Sequence, residues 1–381
     1  MKVCIGSPGR FHTFDLARQM ERLGLLQRLY TGYPRWKVDG LDRARIRTFP
    51  WVIGPMMLAG RLGCHGLQEW MNWPAIASFD RWMAARLEPC QVFHCLSSFG
   101  QCSHHVAKDR FGALTVCDRG SAHILFMDHI YADEYARWGL TYRPIDRRIV
   151  ERELWEYEHC DRIVVPSGFA RQTFLQKALS AEKVVKVSFG VDLRMFQPLP
   201  KTDNVFRVIY VGALSLRKGV PYLLQALASL KLPRLEAWLL GSLQVEMRPF
   251  LEKYNGVYRY WGIQPRSELH RYYSQGSVFV LPSLQEGLAL VLAQAMACGL
   301  PIIATANSGA EDLITDGVEG FIVPIRDPAA IKEKLAYLHD NPSVRDSMAL
   351  AALTRARKQR GWDAYGEQMA ANYQVALARK S

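Results

Sequence analysis

Two short apolar runs, Val278 to Leu281 and Ile302 to Thr305, are separated by one turn and one helix-forming segment. Parallel strands need a crossover of about a dozen residues or more, usually a helix, and this spacing supplies one. The run is therefore a βαβ unit. Its helix N-terminus points at the carboxyl ends of the strands, where unpaired N–H groups and the helix dipole suit a phosphate. Glu286 stands at that mouth, just before Gly287 and Leu288. A phosphate cradle beside a carboxylate points to an activated, hydroxyl-rich ligand such as a nucleotide sugar.

The rest of the chain repeats the alternation. In the first half, Lys2 to Ser7, Leu26 to Thr31, Gln91 to Leu96, Ala113 to Asp118, Arg162 to Pro166 and Val184 to Phe189 read as strands, with helical patterns such as Thr13 to Leu23 and Pro144 to Cys160 between them. Alternating strands and helices build a doubly wound parallel sheet. Gly190 to Asn204 is rich in proline, glycine and polar residues and reads as a linker. A second series follows: Phe206 to Val211, Glu236 to Leu240, Val257 to Trp261, Val278 to Leu281, Ile302 to Thr305 and Phe321 to Pro324. The expected organisation is α/β: a Rossmann-like domain over 1–190, a linker over 191–204, a second over 205–361, and a last helix over 362–381 with apolar residues on one face. An interdomain cleft lies between the two.

A second chemical signal follows the first strand of the rear half, where Val211-Gly212-Ala213 leads to Arg217-Lys218-Gly219-Val220. Gly212 permits close approach of a ligand to the backbone, and two cations stand before a helix start. Tyr260-Trp261-Gly262-Ile263 closes a neighbouring strand, and Gly262 and Ile263 could offer backbone groups to a base edge. In the front half, Ser7-Pro-Gly9-Arg10-Phe-His12-Thr13 forms the first loop, with Gly9, Arg10 and His12 as candidate acceptor contacts and Thr13 as a helix cap. Ser167 reads as a helix N-cap, Arg171 and His94 as cleft-facing candidates.

These segments resemble the family-4 retaining glycosyltransferases, which have the GT-B fold of two Rossmann-like doubly wound domains. The likeness covers nearly the whole chain and is weakest between about residues 32 and 90. Glu286 matches the first acid of the family's glutamate-x7-glutamate signature, and Gln294 stands in place of the second. Lys218 matches the lysine that pairs with the donor diphosphate. The arginine usual after the strand glycine is Ala213 here, and Arg217 restores that charge from another backbone position. The resemblance implies that Gly212, Arg217, Lys218, Gly262, Ile263, Glu286, Gly287, Leu288 and Gln294 bind the nucleotide-diphosphate sugar, with Gln294 at the ribose. The family histidine near the transferred sugar is replaced by Asp118 or Arg119, so Asp118 and His123 join Glu286 and Lys218 as catalytic-region candidates. The last helix is implied to cross back to the N-terminal domain.

Composition narrows the alternatives. The chain has 381 residues, 49% hydrophobic and 22% charged, as in an ordinary globular protein. No apolar run reaches the ~18 residues of a membrane span, and the N-terminus reads as a strand with no signal peptide. Eight cysteines without Cys-x-x-Cys spacing read as small buried hydrophobes, so no zinc site is expected. No Asp-x-Asp pair stands near a strand end, and the resemblance implies an enzyme that works without a bound metal; no cofactor is expected beside the nucleotide-sugar donor. The net charge is +12, and residues 1–62 hold eleven Lys/Arg against four Asp/Glu. That surplus suits an anionic partner. The stretch Arg43 to Arg61 mixes cations with large apolar groups and reads either as a loop and helix packed on the domain or as an interfacial membrane contact. Aromatic-basic interleaving of a nucleic-acid module is missing, so no nucleic acid is expected.

The resulting expectation is a cytoplasmic, metal-independent retaining glycosyltransferase, peripheral to the inner membrane face. It moves a sugar from a nucleotide-diphosphate donor to a hydroxyl acceptor (glycan, glycolipid or small molecule) in cell-surface polysaccharide or glycolipid synthesis. A nucleotide-sugar epimerase on the same scaffold, or a non-catalytic basic protein associated with membrane or nucleic acid, are the alternatives. An NAD-dependent oxidoreductase is disfavoured by the absence of a strand-Gly-x-Gly-x-x-Gly-helix unit.

Overall fold

A computed structural model describes residues 1–192, 194–359 and 361–380. The side chains of Val52, Arg61 and His65 also lie outside the described set, as do Leu193 of the linker, Arg360 and Ser381. The front domain is a parallel sheet of seven strands: β1 (Val3–Ser7), β2 (Leu26–Thr31), β3 (Ile46–Thr48), β4 (Val92–Leu96), β5 (Leu114–Asp118), β6 (Arg162–Val165) and β7 (Val184–Lys186). Their order is β3-β2-β1-β4-β5-β6-β7. The rear domain is a parallel sheet of six: β8 (Phe206–Val211), β9 (Leu235–Leu240), β10 (Arg259–Gly262), β11 (Val278–Leu281), β12 (Ile302–Thr305) and β13 (Gly320–Val323). Their order is β10-β9-β8-β11-β12-β13.

Two strand orders that both reverse have one consequence for function. Where the order reverses, the loops leaving neighbouring strands turn to opposite faces of the sheet and leave a crevice at the carboxyl ends. In the rear sheet the reversal falls between β8 and β11, so the loops 212–219 and 282–289 flank it. In the front sheet it falls between β1 and β4, beside the loop from Pro8 to Phe11. The strands of the rear sheet are almost wholly apolar: Val208, Ile209, Val278, Phe279, Val280, Ile302 and Ile303 are all fully buried, as helices on both faces require.

Most strand bounds lie within two residues of the sequence reading; the larger departures are in the front domain. Strand β3 was not expected; three residues pair Leu29 with Ile46 at the sheet edge inside the basic stretch. Strand β7 stops at Lys186, and Phe189 instead packs its ring 4.3 Å from that of His12. Thr13 does not cap the first helix (His12–Arg22): its hydroxyl sits 2.6 Å from that of Ser7, and Phe11 holds the cap position without a side-chain bond. Seven of the cysteines are buried or half-buried, but Cys64 is exposed.

The last helix, Gly361–Lys380, buries Tyr365, Met369 and Tyr373 against Val3, Phe14 and Val116 of the front domain. It passes so close to Gly190 that a Cβ there would meet the backbone of Trp362. The Tyr373 hydroxyl reaches His94 at 2.8 Å.

His104 gives the fold a pH dependence. Its ring is buried against Phe93 and neither nitrogen has a partner. Burial, helped by His94, pushes it down to about 3 from an ordinary 6.5. The unfolded chain therefore binds the proton more readily, so stability is full above about pH 6.5 and falls as pH drops toward 3. His104→Leu is expected to remove this sensitivity. Relative to its effect at pH 8, it should add about 2 kcal/mol to unfolding stability at pH 5, read by denaturant titration at both values; equal effects at both would refute the assignment.

Candidate active site

The site assembles from the two loops at the rear crevice. After β8 the chain turns through Gly212 to Gly219, which caps the helix Val220–Ser229 in the left-handed conformation, with φ of 65°. A Cβ on Gly219 would run into the carbonyl oxygen of Pro282, so only glycine lets this loop close on the loop after β11. Leu284 N–H donates to the Arg217 carbonyl at 2.9 Å and locks the two loops in register. The segment after β12 supports them from behind: Glu286 N–H donates to Asn307 and Ala289 N–H to Ser308.

This frame brings Arg217, Lys218 and Glu286 together. Lys218 donates to Glu286 Oε1, and Arg217 approaches the same oxygen at 3.2 Å and the Gln285 carbonyl at 3.4 Å. Lys218 and Glu286 are almost enclosed, each side chain 13% exposed, while Arg217 is 37% exposed at the rim. Burial works to raise the Glu286 pKa, but the Lys218 ammonium and then the Arg217 guanidinium outweigh it and hold the carboxyl below its ordinary range. Burial outweighs the shared carboxylate at Lys218 and, with Arg217 nearby, brings its ammonium below the ordinary lysine value. Among the described residues, the N–H groups of Gly287 and Leu288 donate to no protein acceptor, one turn before the helix Leu290–Ala297 begins. Two cations and two open amides thus lie on the two adjoining crevice loops, groups of the kind that bind an anionic diphosphate.

Gln294 lies inside that helix, buried, with its amide oxygen 3.3 Å from the Tyr273 hydroxyl. The Gly262 carbonyl accepts from Gly241 N–H at 2.8 Å and keeps a second lone pair. Ile263 is largely exposed. Its neighbour Trp261 packs against Trp238 and Tyr272 under the Arg259 guanidinium, and its indole N–H is buried without an acceptor.

The front-domain candidates fall differently. Asp118, at the end of β5, accepts from His12 at 2.7 Å and from His94 at 2.9 Å through one oxygen. Burial opposes its charge, but His12 and His94 hold the carboxyl far below its ordinary value. With Asp118 ionised both imidazoles donate through Nε2, and His94 Nδ1 shares a hydrogen bond with the Tyr373 hydroxyl. His94 is fully buried and does not face the cleft. Nor does His123: it caps the helix Ile124–Arg137, its Nδ1 accepting from Leu125 N–H, between the rings of Tyr157 and Phe174. Burial and then Arg119 push it down to about 4, a neutral structural histidine. Arg119 turns inward to Glu153 at 2.8 Å. Arg171 clasps the carbonyls of Val184 and Ala181, away from the cleft. Ser167 does cap its helix, accepting from Ala170 N–H at 3.1 Å. Arg10 is exposed beside Asp39, and the Gly9 backbone leaves ordinary van der Waals room for a side chain.

The two domains meet directly over the site. Gln285 donates to Ser121 at 2.6 Å and accepts from Tyr131 at 2.8 Å. Ser167 donates to the Gly287 carbonyl, and Gly287 lies so close to the Gly120 carbonyl that no Cβ would fit. At one side Glu134 accepts from Arg326 (2.7 Å) and Tyr222 (2.8 Å); at the other Asp312 accepts from Lys186 and Gly168 N–H. Of these cross-domain partners, Ser167 and Gly287 stood out in the sequence, but neither as a contact between domains. Arg326 reaches Glu134 from a left-handed backbone, with φ of 62°, which no local sequence pattern announces.

Residues 192–355 match the pattern of the family described as Glycosyl transferases group 1. A D-inositol 3-phosphate glycosyltransferase of Frankia alni is 29% identical over 221 residues, covering 52% of this chain and 54% of the relative. The chain thus spans about half the length of that relative. Sucrose-phosphate synthase of Thermosynechococcus elongatus superposes with a TM-score of 0.72 at 18% identity over the whole of both chains. HepE of Anabaena, solved with UDP and glucose, superposes at 0.69 and 16% identity, over 98% of this chain and all of its own. These likenesses establish the GT-B fold.

Proposed function

We propose that this chain, whose residues 192–355 belong to the group 1 glycosyl transferases on a GT-B frame, transfers a sugar from a nucleotide-diphosphate donor to a hydroxyl acceptor with retention of anomeric configuration. The observation that carries the reading is the convergence of Lys218 and Arg217 on Glu286 at the reversal between β8 and β11, under the open amides of Gly287 and Leu288. In the free protein Glu286 satisfies both cations. An arriving diphosphate competes for them and releases the carboxylate to accept from hydroxyls of the transferred sugar.

The bond from the anomeric carbon to the diphosphate oxygen breaks, and one from that carbon to the acceptor oxygen forms. Charge grows on the leaving oxygen, and Lys218 and Arg217 stabilise it more in the transition state than in the ground state. The acceptor approaches on the face the diphosphate leaves, so the departing oxygen takes the acceptor proton and the configuration is kept. These cations and amides supply the positive charge that a divalent metal supplies elsewhere. Closure over Gly287 excludes water and limits hydrolysis. Gln294 remains our candidate for the ribose through its amide N–H groups.

A hydroxyl acceptor bearing phosphate or lipid, in surface polysaccharide or glycolipid synthesis at an anionic membrane face, fits the basic front domain. The relative named for D-inositol 3-phosphate offers a parallel for a phosphorylated acceptor. UDP sugars are the first donors to test, since the HepE neighbour holds UDP.

Thermal shift against a panel of nucleotide sugars tests the donor site. A ligand at a hundred times its dissociation constant adds about 2.7 kcal/mol of apparent stability. At least one nucleotide diphosphate should raise the Tm where the free sugars do not. No shift with any nucleotide, or product formed without an acceptor as in an epimerase, would refute the reading.

A further inference from the structure

The helix Pro50–Arg61 has no charged residue before its last position. Its inner side is used: Ile53 and Ala59 are buried, and Ile53 packs onto Gly32 at the carboxyl end of β2. Its outer side carries Trp51 and Leu58, with Leu62 just beyond, all exposed to water. The next helix, His65–Ala84, continues the surface with Leu67 and Trp70, one turn apart. Trp51 and Trp70 are 78% and 73% exposed. A helix that is apolar all round is expected to be covered all round, and adjoining exposed apolar stripes of this kind mark an interaction site.

Cations frame the surface. Arg143 reaches Glu69 at 3.1 Å, and Arg148 lies 5.0 Å over the ring of Trp73, so the segment 143–148 is fastened to the same helix. Arg143 and Arg147 are among the most exposed side chains in the molecule. On the other flank the short turn Arg35-Trp36-Lys37 is wholly exposed, and it leaves β2 from the same end at which Phe49 N–H bonds Thr31 and starts the hairpin.

We propose that this helical hairpin is a docking surface for an anionic lipid bilayer. Tryptophan and leucine enter the boundary between headgroups and acyl chains, and the surrounding arginines meet lipid phosphates. A helix of twelve residues is ~18 Å long, well short of the ~30 Å hydrocarbon core, so it lies in the interface. No helix among the described residues is long and apolar enough to cross a membrane. A second copy of the chain fits less well, since a two-fold contact through this patch would bring like-charged arginines together.

Position links the surface to the site. The hairpin starts at the carboxyl end of β2, and its second helix, which leads into β4, buries only its second half, with Ala75, Ile76, Phe79 and Met83. Its first half, with the hairpin tip, therefore overshoots the sheet on the side where the carboxyl ends and the cleft lie. The docked protein holds its cleft mouth towards the bilayer. Docking itself is independent of the transfer reading; only its use, presenting a lipid-borne acceptor, rests on it.

Co-sedimentation with vesicles of phosphatidylcholine alone, and of equimolar phosphatidylcholine and phosphatidylglycerol, tests the proposal on the full chain. The wild type should pellet with the anionic vesicles and be released by salt. Leu58→Glu with Trp70→Glu, and separately Lys37→Glu with Arg147→Glu, should each weaken binding by roughly tenfold or more, with circular dichroism and Tm unchanged. Wild type left in the supernatant would overturn the proposal. So would undiminished binding of the Leu58/Trp70 variant, or a solution dimer that this variant dissolves while no vesicle is bound.

Discussion

Lys218→Ala lowers the rate of sugar transfer by at least about tenfold, and Glu286→Ala does the same; tenfold corresponds to about 1.4 kcal/mol of barrier. The two losses arise differently. Without the Lys218 ammonium, the leaving diphosphate keeps only Arg217, which sits at the rim and is partly solvated. Transition-state charge is then screened by water instead of being met by a buried cation, so kcat falls. Lys218→Arg restores charge but not position, because a planar fork cannot replace a compact point charge in an almost closed site. Without Glu286, the cations remain free for the diphosphate and donor affinity is kept or improved. The sugar then loses its hydroxyl anchor and kcat falls alone. Because Glu286 titrates below its ordinary value in the fold, its contribution to stability is present at neutral pH and is lost only as pH falls through that lowered value. Initial rates of nucleoside diphosphate release, with circular dichroism to confirm folding, measure both variants. Unchanged rates in both folded proteins would remove Lys218 and Glu286 from the mechanism.

The same residues show what a sequence makes legible. Lys218 and Glu286 sit next to glycines in loops whose place is set by the strands before them, so local pattern was enough to locate both. The front-domain candidates illustrate the limit. Asp118 ends β5 and His123 follows it, while His94 proves to lie in the middle of β4; a place on or after a strand does not by itself say what the side chain meets. His123 turns inward because its helix needs a cap, and His94 because Asp118 and Tyr373 offer it two partners inside the core. Strand β3 was missed for a related reason. As an edge strand of three residues, Ile46 to Thr48 with Arg47 at its centre and held by β2 alone, it has no alternation long enough to read. The contacts that close the cleft were the least visible. Ser121 and Gln285 are 164 residues apart, Glu134 and Arg326 192 apart, and such pairs exist only once both sheets have formed.

Those contacts lead to the second large effect. Gly287→Ala is expected to cut transfer by roughly a hundredfold, the loss that about 1 Å of misplacement can cause, while leaving the stability of each domain nearly unchanged. The new methyl group collides with the Gly120 carbonyl, which belongs to the other domain. Separating the domains relieves that collision without unfolding either one. Ser167 then loses the Gly287 carbonyl, and Gln285 is drawn away from Ser121 and Tyr131. Gly219→Ala provides the contrast. Its collision with the Pro282 carbonyl lies wholly inside the rear domain, and its backbone is left-handed, so no domain movement relieves it. That variant should lose more than about 1 kcal/mol of unfolding stability. Small-angle scattering should show an expanded particle for Gly287→Ala only, and thermal melting a loss for Gly219→Ala only. If Gly287→Ala keeps full transfer and an unchanged radius, the approach of Gly120 to Gly287 is not what assembles the site, and closure must be sought at the Glu134 and Asp312 contacts on the flanks.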